Sequence, residues 1–151
     1  APRGEVSVKV AVATDLPPID ADHNQLCQVF SNLMTNAFEA LEGRGSITVN
    51  AVLHVIDTDT AAAHVETPAR VVVIDVCDDG PGIAADMAER LFDPFFTTKT
   101  TGSGLGLPIV RKIVDAHDGR IDLSTELGKG TRFRVTLPVT SGSQWFSRKA
   151  R

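Results

Sequence analysis

Asp78-Asp79-Gly80-Pro81-Gly82-Ile83 follows the apolar run Val71-Val72-Val73-Ile74-Asp75-Val76, and Gly102-Ser103-Gly104-Leu105-Gly106-Leu107 leads into a second apolar pattern. A near-continuous apolar run bounded by a turn reads as a central strand, covered on at least one face. The first turn therefore leaves the Asp78 carboxylate at the rim of a core. After the second turn, Ile109, Val110, Ile113 and Val114 fall on one side of a helix running to about His117, with Arg111, Lys112 and Asp115 on the other. Pro108 falls in the first turn of that helix, where no intrahelical N–H bond is lost. A carboxylate at a strand end, glycines that allow close approach and a helix N-terminus together suit a purine and its phosphates.

Working outward, Val6, Val8, Val10 and Val12 alternate with Ser7, Lys9 and Ala11 as a half-buried strand, ended by Leu16-Pro17-Pro18. Asp20 or Asp22 can cap a helix that runs to about Leu41, where Glu42-Gly43-Arg44-Gly45 stops it. Ile47, Val49, Ala51 and Leu53 form a second alternating strand, and residues 57–69 read as a hairpin tip. A short helix is expected over Asp86–Leu91. Asp118-Gly119 ends the helix that follows the second glycine turn. Ile121 and Leu123, then Phe133, Val135 and Leu137, alternate as a closing hairpin. The pattern dissolves after Pro138, which sets a domain over 1–138 and a linker or tail over 139–151. These elements predict an α+β fold, a two-layer α/β sandwich whose mixed, mostly antiparallel sheet carries three helices on one face. The wide separation of the glycine turns argues against a Rossmann unit, which wants its glycines directly after the first strand.

The 151 residues suit one domain, and the apolar share of 42% and charged share of 23% are those of a globular chain. The net charge is −4 with no long basic run, so neither nucleic acid nor an anionic membrane is an expected partner. No segment approaches the ~20 apolar residues of a membrane span. A cytoplasmic location without direct membrane contact is expected for this domain, whatever anchors the whole protein. The chain opens Ala1-Pro2-Arg3-Gly4 without a Met, as an excised piece would. Cys27 and Cys77 lack metal or redox spacing and are expected to be reduced.

On the first helix Leu26, Val29, Leu33, Ala37 and Ala40 make one apolar stripe. Asn36 lies just off its margin, with Asn32 one turn earlier. A half-buried amide oxygen there can coordinate Mg2+, a hard cation that prefers oxygen; equally, both are solvent-edge asparagines on helix geometry alone. Asp78 can accept from an adenine amino group or simply open an Asp-Gly turn. Gly102, Gly104 and Gly106 lead into a helix whose free N–H groups suit phosphate oxygens, with Lys99 in reach. Phe92, Phe95 and Phe96 either anchor a segment that folds over a ligand or fill the core.

Asn32-Leu33-Met34-Thr35-Asn36-Ala37, the turn from Asp78 to Ile83, Phe92-Asp93-Pro94-Phe95-Phe96-Thr97-Thr98-Lys99 and the turn from Gly102 to Leu107 resemble the N, G1, F and G2 boxes of sensor histidine kinases. Gly128-Lys129-Gly130-Thr131-Arg132-Phe133 is similar to that family's last ATP-site segment. The resemblance runs from about Val6 to Pro138, in order and spacing. It implies a Bergerat ATP-binding fold of the superfamily shared with gyrase, the Hsp90 chaperones and MutL, with ATP and Mg2+ as cofactors. By that resemblance Asn36 is the metal ligand, Asp78 reads adenine, and Gly80, Gly82 and Ile83 shape its pocket. Thr131 supports it by a hydroxyl. Lys99 and the turn Gly102, Gly104, Leu105, Gly106 and Leu107 hold the phosphates, and residues 84–103, Phe95 among them, form the lid.

Hydrolytic members of the superfamily carry a Glu one turn before the metal-binding Asn. Here that position is Asn32, an amide that takes no proton near neutral pH. With Asn32 and Lys99 as catalytic positions, the expectation is transfer of the γ-phosphoryl group to a histidine on a separate dimerisation domain, for relay to a response-regulator receiver domain. An ATP-hydrolysing clamp of the gyrase type, a non-catalytic nucleotide sensor and a serine kinase of the anti-sigma type are the alternatives. His117 is expected to be structural, and His23, His54 and His64 to lie on the surface.

Overall fold

The computed structural model describes residues 5–56, 69–94 and 106–139. In chain order the elements are β1 (Val6–Val12), α1 (His23–Leu41), β2 (Gly45–Ile56), β3 (Ala69–Asp78), α2 (Ala85–Ala88), α3 (Gly106–Ala116), β4 (Arg120–Glu126) and β5 (Gly130–Pro138). The sheet runs β1-β2-β3-β5-β4. Only β1 and β2 pair in parallel; the other neighbours are antiparallel. The mixed, mostly antiparallel sandwich is therefore observed. The apolar run at Val71–Val76 lies in the middle strand, as its composition requires.

Asp22 caps α1, its carboxylate accepting the Gln25 N–H at 3.0 Å, a contact worth about 1 kcal/mol to a helix. Glu42 ends α1 in the left-handed region (φ 51°). Buried Val29, Leu33, Ala37 and Leu41, spaced by four, pack the helix onto the sheet. The stripe differs from expectation at its end, where Leu41 is buried and Ala40 only half-buried. Val110, Ile113 and Val114 of α3 join the same core with Ile47, Val76, Phe133, Val135 and Leu137 of the sheet. Sheet residues of opposite parity face away from the helices. That side carries a bidentate ion pair, Arg134 to Asp75, with N···O distances of 2.7 and 2.9 Å, which raises the Arg134 pKa.

Of the β1 valines only Val6 is half-buried. Val8, Val10 and Val12 are 42, 64 and 57% exposed, because β1 is the sheet's edge and only Val6 packs against the core. Alternation identified the strand but not its distance from the helices. The short helix occupies Ala85–Ala88 rather than reaching Leu91, and the chain continues in turns. Most of the expected hairpin tip and the expected tail beyond Val139 lie outside the described residues; β2 and β3 do pair up to Ile56 and Ala69. Cys27 and Cys77 are both free thiols. No helix among the described residues is long and apolar enough to cross a membrane.

Candidate functional site

Strand register builds the floor of the site. Asp78 of β3 pairs with Thr131 of β5, which pairs with Thr125 of β4. Two residues further along the strands, on the same face, lie Val76, Phe133 and Leu123 of the hydrophobic cluster. The candidate site is thus one polar row laid against the end of the core. Thr131 is the only buried polar residue among the described residues, at 7% exposure.

Asp78 Oδ1 accepts the Gly80 N–H at 2.9 Å. Burial pushes its carboxyl above the usual carboxylate range and the charge of Asp79 adds to the rise, while the backbone N–H groups of Gly80 and Thr131 oppose it. Asp79 is exposed but not idle. Its carboxylate accepts the Ser46 N–H at 2.8 Å, and its own N–H donates to the Ser46 carbonyl. This double bond fastens the turn to the start of β2. On its other flank the turn meets the β4–β5 hairpin: Gly128 N–H donates to the Pro81 carbonyl at 2.7 Å and Ile83 N–H to Thr125 Oγ1 at 2.9 Å. Gly82 has φ +76°, and a Cβ there would run into the Glu126 carbonyl. Its glycine is required by backbone angle and by space at once.

Helix α1 reaches both the first glycine turn and the start of α3. A Cβ on Gly80 would stand 3.3 Å from the Ala40 carbonyl, and Asn32 Nδ2 donates to the Gly106 carbonyl at 3.4 Å. Asn36 is one turn from each of these contacts, so it is bracketed between the strand-end turn and the start of α3. Asn32 and Asn36 are both half-buried. Leu107 packs against the core, while a Cβ on Gly106 would meet nothing within 4 Å among the described residues.

The structure thus brings together Asn32, Asn36, Asp78, Gly80, Gly82, Ile83, Gly106, Leu107 and Thr131. Phe95, Lys99, Gly102, Gly104 and Leu105 lie outside the described residues, as do residues 95–103 of the expected lid. Phe92 fills the core: its ring meets Phe133 edge-on at 6.4 Å and carries the Arg111 guanidinium 5.4 Å from its centroid. His117 is structural. Its Nδ1–H donates to the Ile113 carbonyl at 2.8 Å, and Nε2 accepts the Asp22 N–H at 3.0 Å.

Residues 21–141 match the sequence profile of the histidine kinase-, DNA gyrase B- and HSP90-like ATPases. The chain belongs to that family. Within the histidine kinase-, DNA gyrase B- and HSP90-like ATPases it is similar to histidine kinases. It is 38% identical over 139 residues to sporulation kinase E of Bacillus subtilis, covering 92% of this chain and 17% of that protein. It is 41% identical over 135 residues to the sensor histidine kinase ZraS of Escherichia coli O157:H7, covering 89% and 26%. The chain thus spans about a quarter or less of these two relatives. Among solved structures, the catalytic domain of histidine kinase ThkA superposes with a TM-score of 0.69 at 32% identity, covering 88% of this chain and 78% of that one. Full-length ShkA in complex with AMPPNP gives 0.70 at 32%, covering 90% and 26%.

Thr125 is the residue that sequence reasoning missed. It lies outside every resembling motif, and its signal was available only through strand register, six residues before Thr131 across the Gly128–Gly130 turn.

Proposed function

We propose that this chain is the ATP-binding catalytic domain of a sensor histidine kinase, which passes the γ-phosphoryl group of Mg-ATP to a histidine on a separate dimerisation domain. A response-regulator receiver would take the group next. The carrying observation is the bracketing of Asn36 by Asn32–Gly106 on one side and Ala40–Gly80 on the other. It gives one helix contact with the first glycine turn and with the start of α3. The AMPPNP in complex with full-length ShkA, a relative by fold and sequence, supports a nucleotide as the ligand.

In this reading Asp78 accepts from the adenine amino group, and the Gly80 and Thr131 N–H groups hold its carboxylate in place. The row Asp78–Thr131–Thr125 and the Asp79–Ser46 bonds keep the base end of the pocket rigid, so seating the base there orders little that is not ordered already. The start of α3 supplies N–H groups and the positive end of a helix dipole for phosphate oxygens. Lys99 and the Gly102, Gly104 and Leu105 backbone complete the phosphate grip by resemblance.

A magnesium ion fits the donors present. Among the described residues there is no cluster of three His, Cys, Asp or Glu side chains to form an all-protein cage. One amide oxygen at Asn36, with phosphates and water, is the sparse set that this cation accepts. When bound, the ion would neutralise charge on the phosphates. Asn32 donates to the Gly106 carbonyl and offers no basic group to activate water. The chain's contribution is therefore positioning and charge stabilisation, and the nucleophile is brought by the partner domain.

The test mixes this domain with its upstream helical region and γ-labelled ATP. Acid-labile, base-stable phosphohistidine is expected on the helical region. Release of inorganic phosphate at equal rate without that region would instead favour the hydrolytic clamp.

A further inference from the structure

The Thr125 hydroxyl touches three groups at once. Its oxygen lies 2.9 Å from the Ile83 nitrogen, 3.0 Å from the Gly130 carbonyl oxygen and 2.9 Å from Thr131 Oγ1. A hydroxyl has one proton to donate and two lone pairs with which to accept. The Ile83 N–H can only donate and the Gly130 carbonyl can only accept, so the Thr125 proton goes to Gly130. Thr131 must then be the donor in the hydroxyl pair. Only this arrangement makes all three contacts hydrogen bonds, and it saturates Thr125.

The consequence falls on Thr131, which is buried and lies opposite Asp78 in the ladder. With its proton committed to Thr125, Thr131 Oγ1 offers only lone pairs. An ionised Asp78 also offers only lone pairs. Two neighbouring acceptors match the two N–H bonds of an exocyclic amino group, directly or through one water, and repel a carbonyl in the same place. Thr125 also pins Ile83, the residue at which the chain leaves the glycine turn.

We infer that Thr125 is a positioning residue for base selection: it fixes the Thr131 hydroxyl as an acceptor beside Asp78 and anchors Ile83, so that the pocket favours a 6-amino purine over a 6-oxo purine. This rests on the nucleotide reading above and extends it to a residue outside the resembling motifs. Without the Thr125 hydroxyl, Thr131 is free to turn and donate. A 6-oxo purine then loses less than a 6-amino purine does.

The experiment measures dissociation constants of Mg-ATP and Mg-ITP by calorimetry for the wild type, Thr125→Val and Thr125→Ser. The Val variant should lose roughly three- to tenfold in ATP affinity, the effect of one or two hydrogen bonds, and less for ITP, so that the preference narrows. The Ser variant, which keeps the hydroxyl, should restore both constants. In nucleotide-free protein, hydrogen exchange at the Ile83 amide should quicken in the Val variant and stay slow in the Ser variant. An unchanged ATP-to-ITP ratio in folded Thr125→Val, or a Ser variant that matches the Val variant, overturns the inference. Should circular dichroism show the Val variant unfolded, Thr125→Ala removes the same hydroxyl and is read in the same way. Wild type that binds neither nucleotide sinks the nucleotide reading and this inference with it, whereas normal selectivity in the hydroxyl-free variants sinks the Thr125 role alone.

Discussion

In the proposed reading, Asp78 sets stability against function in a single carboxylate. Burial raises its pKa in the fold above the ordinary 3.8, so the folded state holds its proton more tightly than the unfolded chain. Between the unfolded and folded pKa values the native state binds more protons, and stability falls as pH rises through that window. Any contribution from this group is complete below about pH 3.8 and lost above the folded value. Asp78→Asn should therefore leave the ligand-free domain at least as stable at pH 7, and this advantage should vanish in acid. Its ATP affinity should fall by about one to two orders of magnitude, the worth of a hydrogen bond to a charged acceptor. Urea titrations at several pH values with calorimetry check both halves; unchanged ATP affinity would reassign the adenine contact. At Gly82 the loss is structural instead. Alanine there must bear an unfavourable φ and a clash with the Glu126 carbonyl, and a destabilisation of roughly 1–3 kcal/mol is expected in the same titrations.

At the scale of elements, α1 and α3 are joined at both ends of their contact, by Asn32 to Gly106 and by His117 to Asp22. The second link and the bond to the Ile113 carbonyl together occupy both ring nitrogens of His117, so His117→Ala should lower stability by about 1–2 kcal/mol in urea without abolishing nucleotide binding. Gly106→Ala separates the fold from the ligand in the opposite sense. The added methyl meets nothing within 4 Å among the described residues, and alanine suits a helix better than glycine by about 0.5–1 kcal/mol. Stability should hold or rise while ATP affinity falls; normal affinity would mean that phosphates do not approach this backbone. Elements were the most legible level of the sequence. Apolar spacing of four placed α1 and α3, and period two placed β2, β4 and β5. What stayed hidden depends on neighbours in space: the exposure of Val10 and Val12 at the sheet edge, the end of the stripe at Leu41, and the clip from Asp79 to Ser46. Local pattern carries no information on how far a helix reaches across a sheet.

The whole molecule closes its candidate site with residues drawn from α1, the end of β3, the start of α3 and the β4–β5 hairpin, which are distant along the chain. The resembling motifs made most of this set legible, because each box is a short contiguous run. Thr125 was not legible, because its partners Ile83 and Thr131 meet it only after the hairpin has docked on the glycine turn. A ligand that touches all these elements cross-links the fold, and its binding free energy adds to global stability. At a hundred times its dissociation constant, Mg-ATP should stabilise the domain by about 2.7 kcal/mol. For a chain of this size that corresponds to roughly 5–10 °C in melting temperature. The shift should grow with the logarithm of nucleotide concentration, shrink when EDTA removes the magnesium, and be lost in Asp78→Asn. A melting temperature indifferent to Mg-ATP at millimolar concentration would mean that the polar row at Asp78, Thr131 and Thr125 serves the fold alone. A shift that survives in Asp78→Asn but disappears in Asn36→Ala would place the nucleotide's grip at the metal end, with the base left unread.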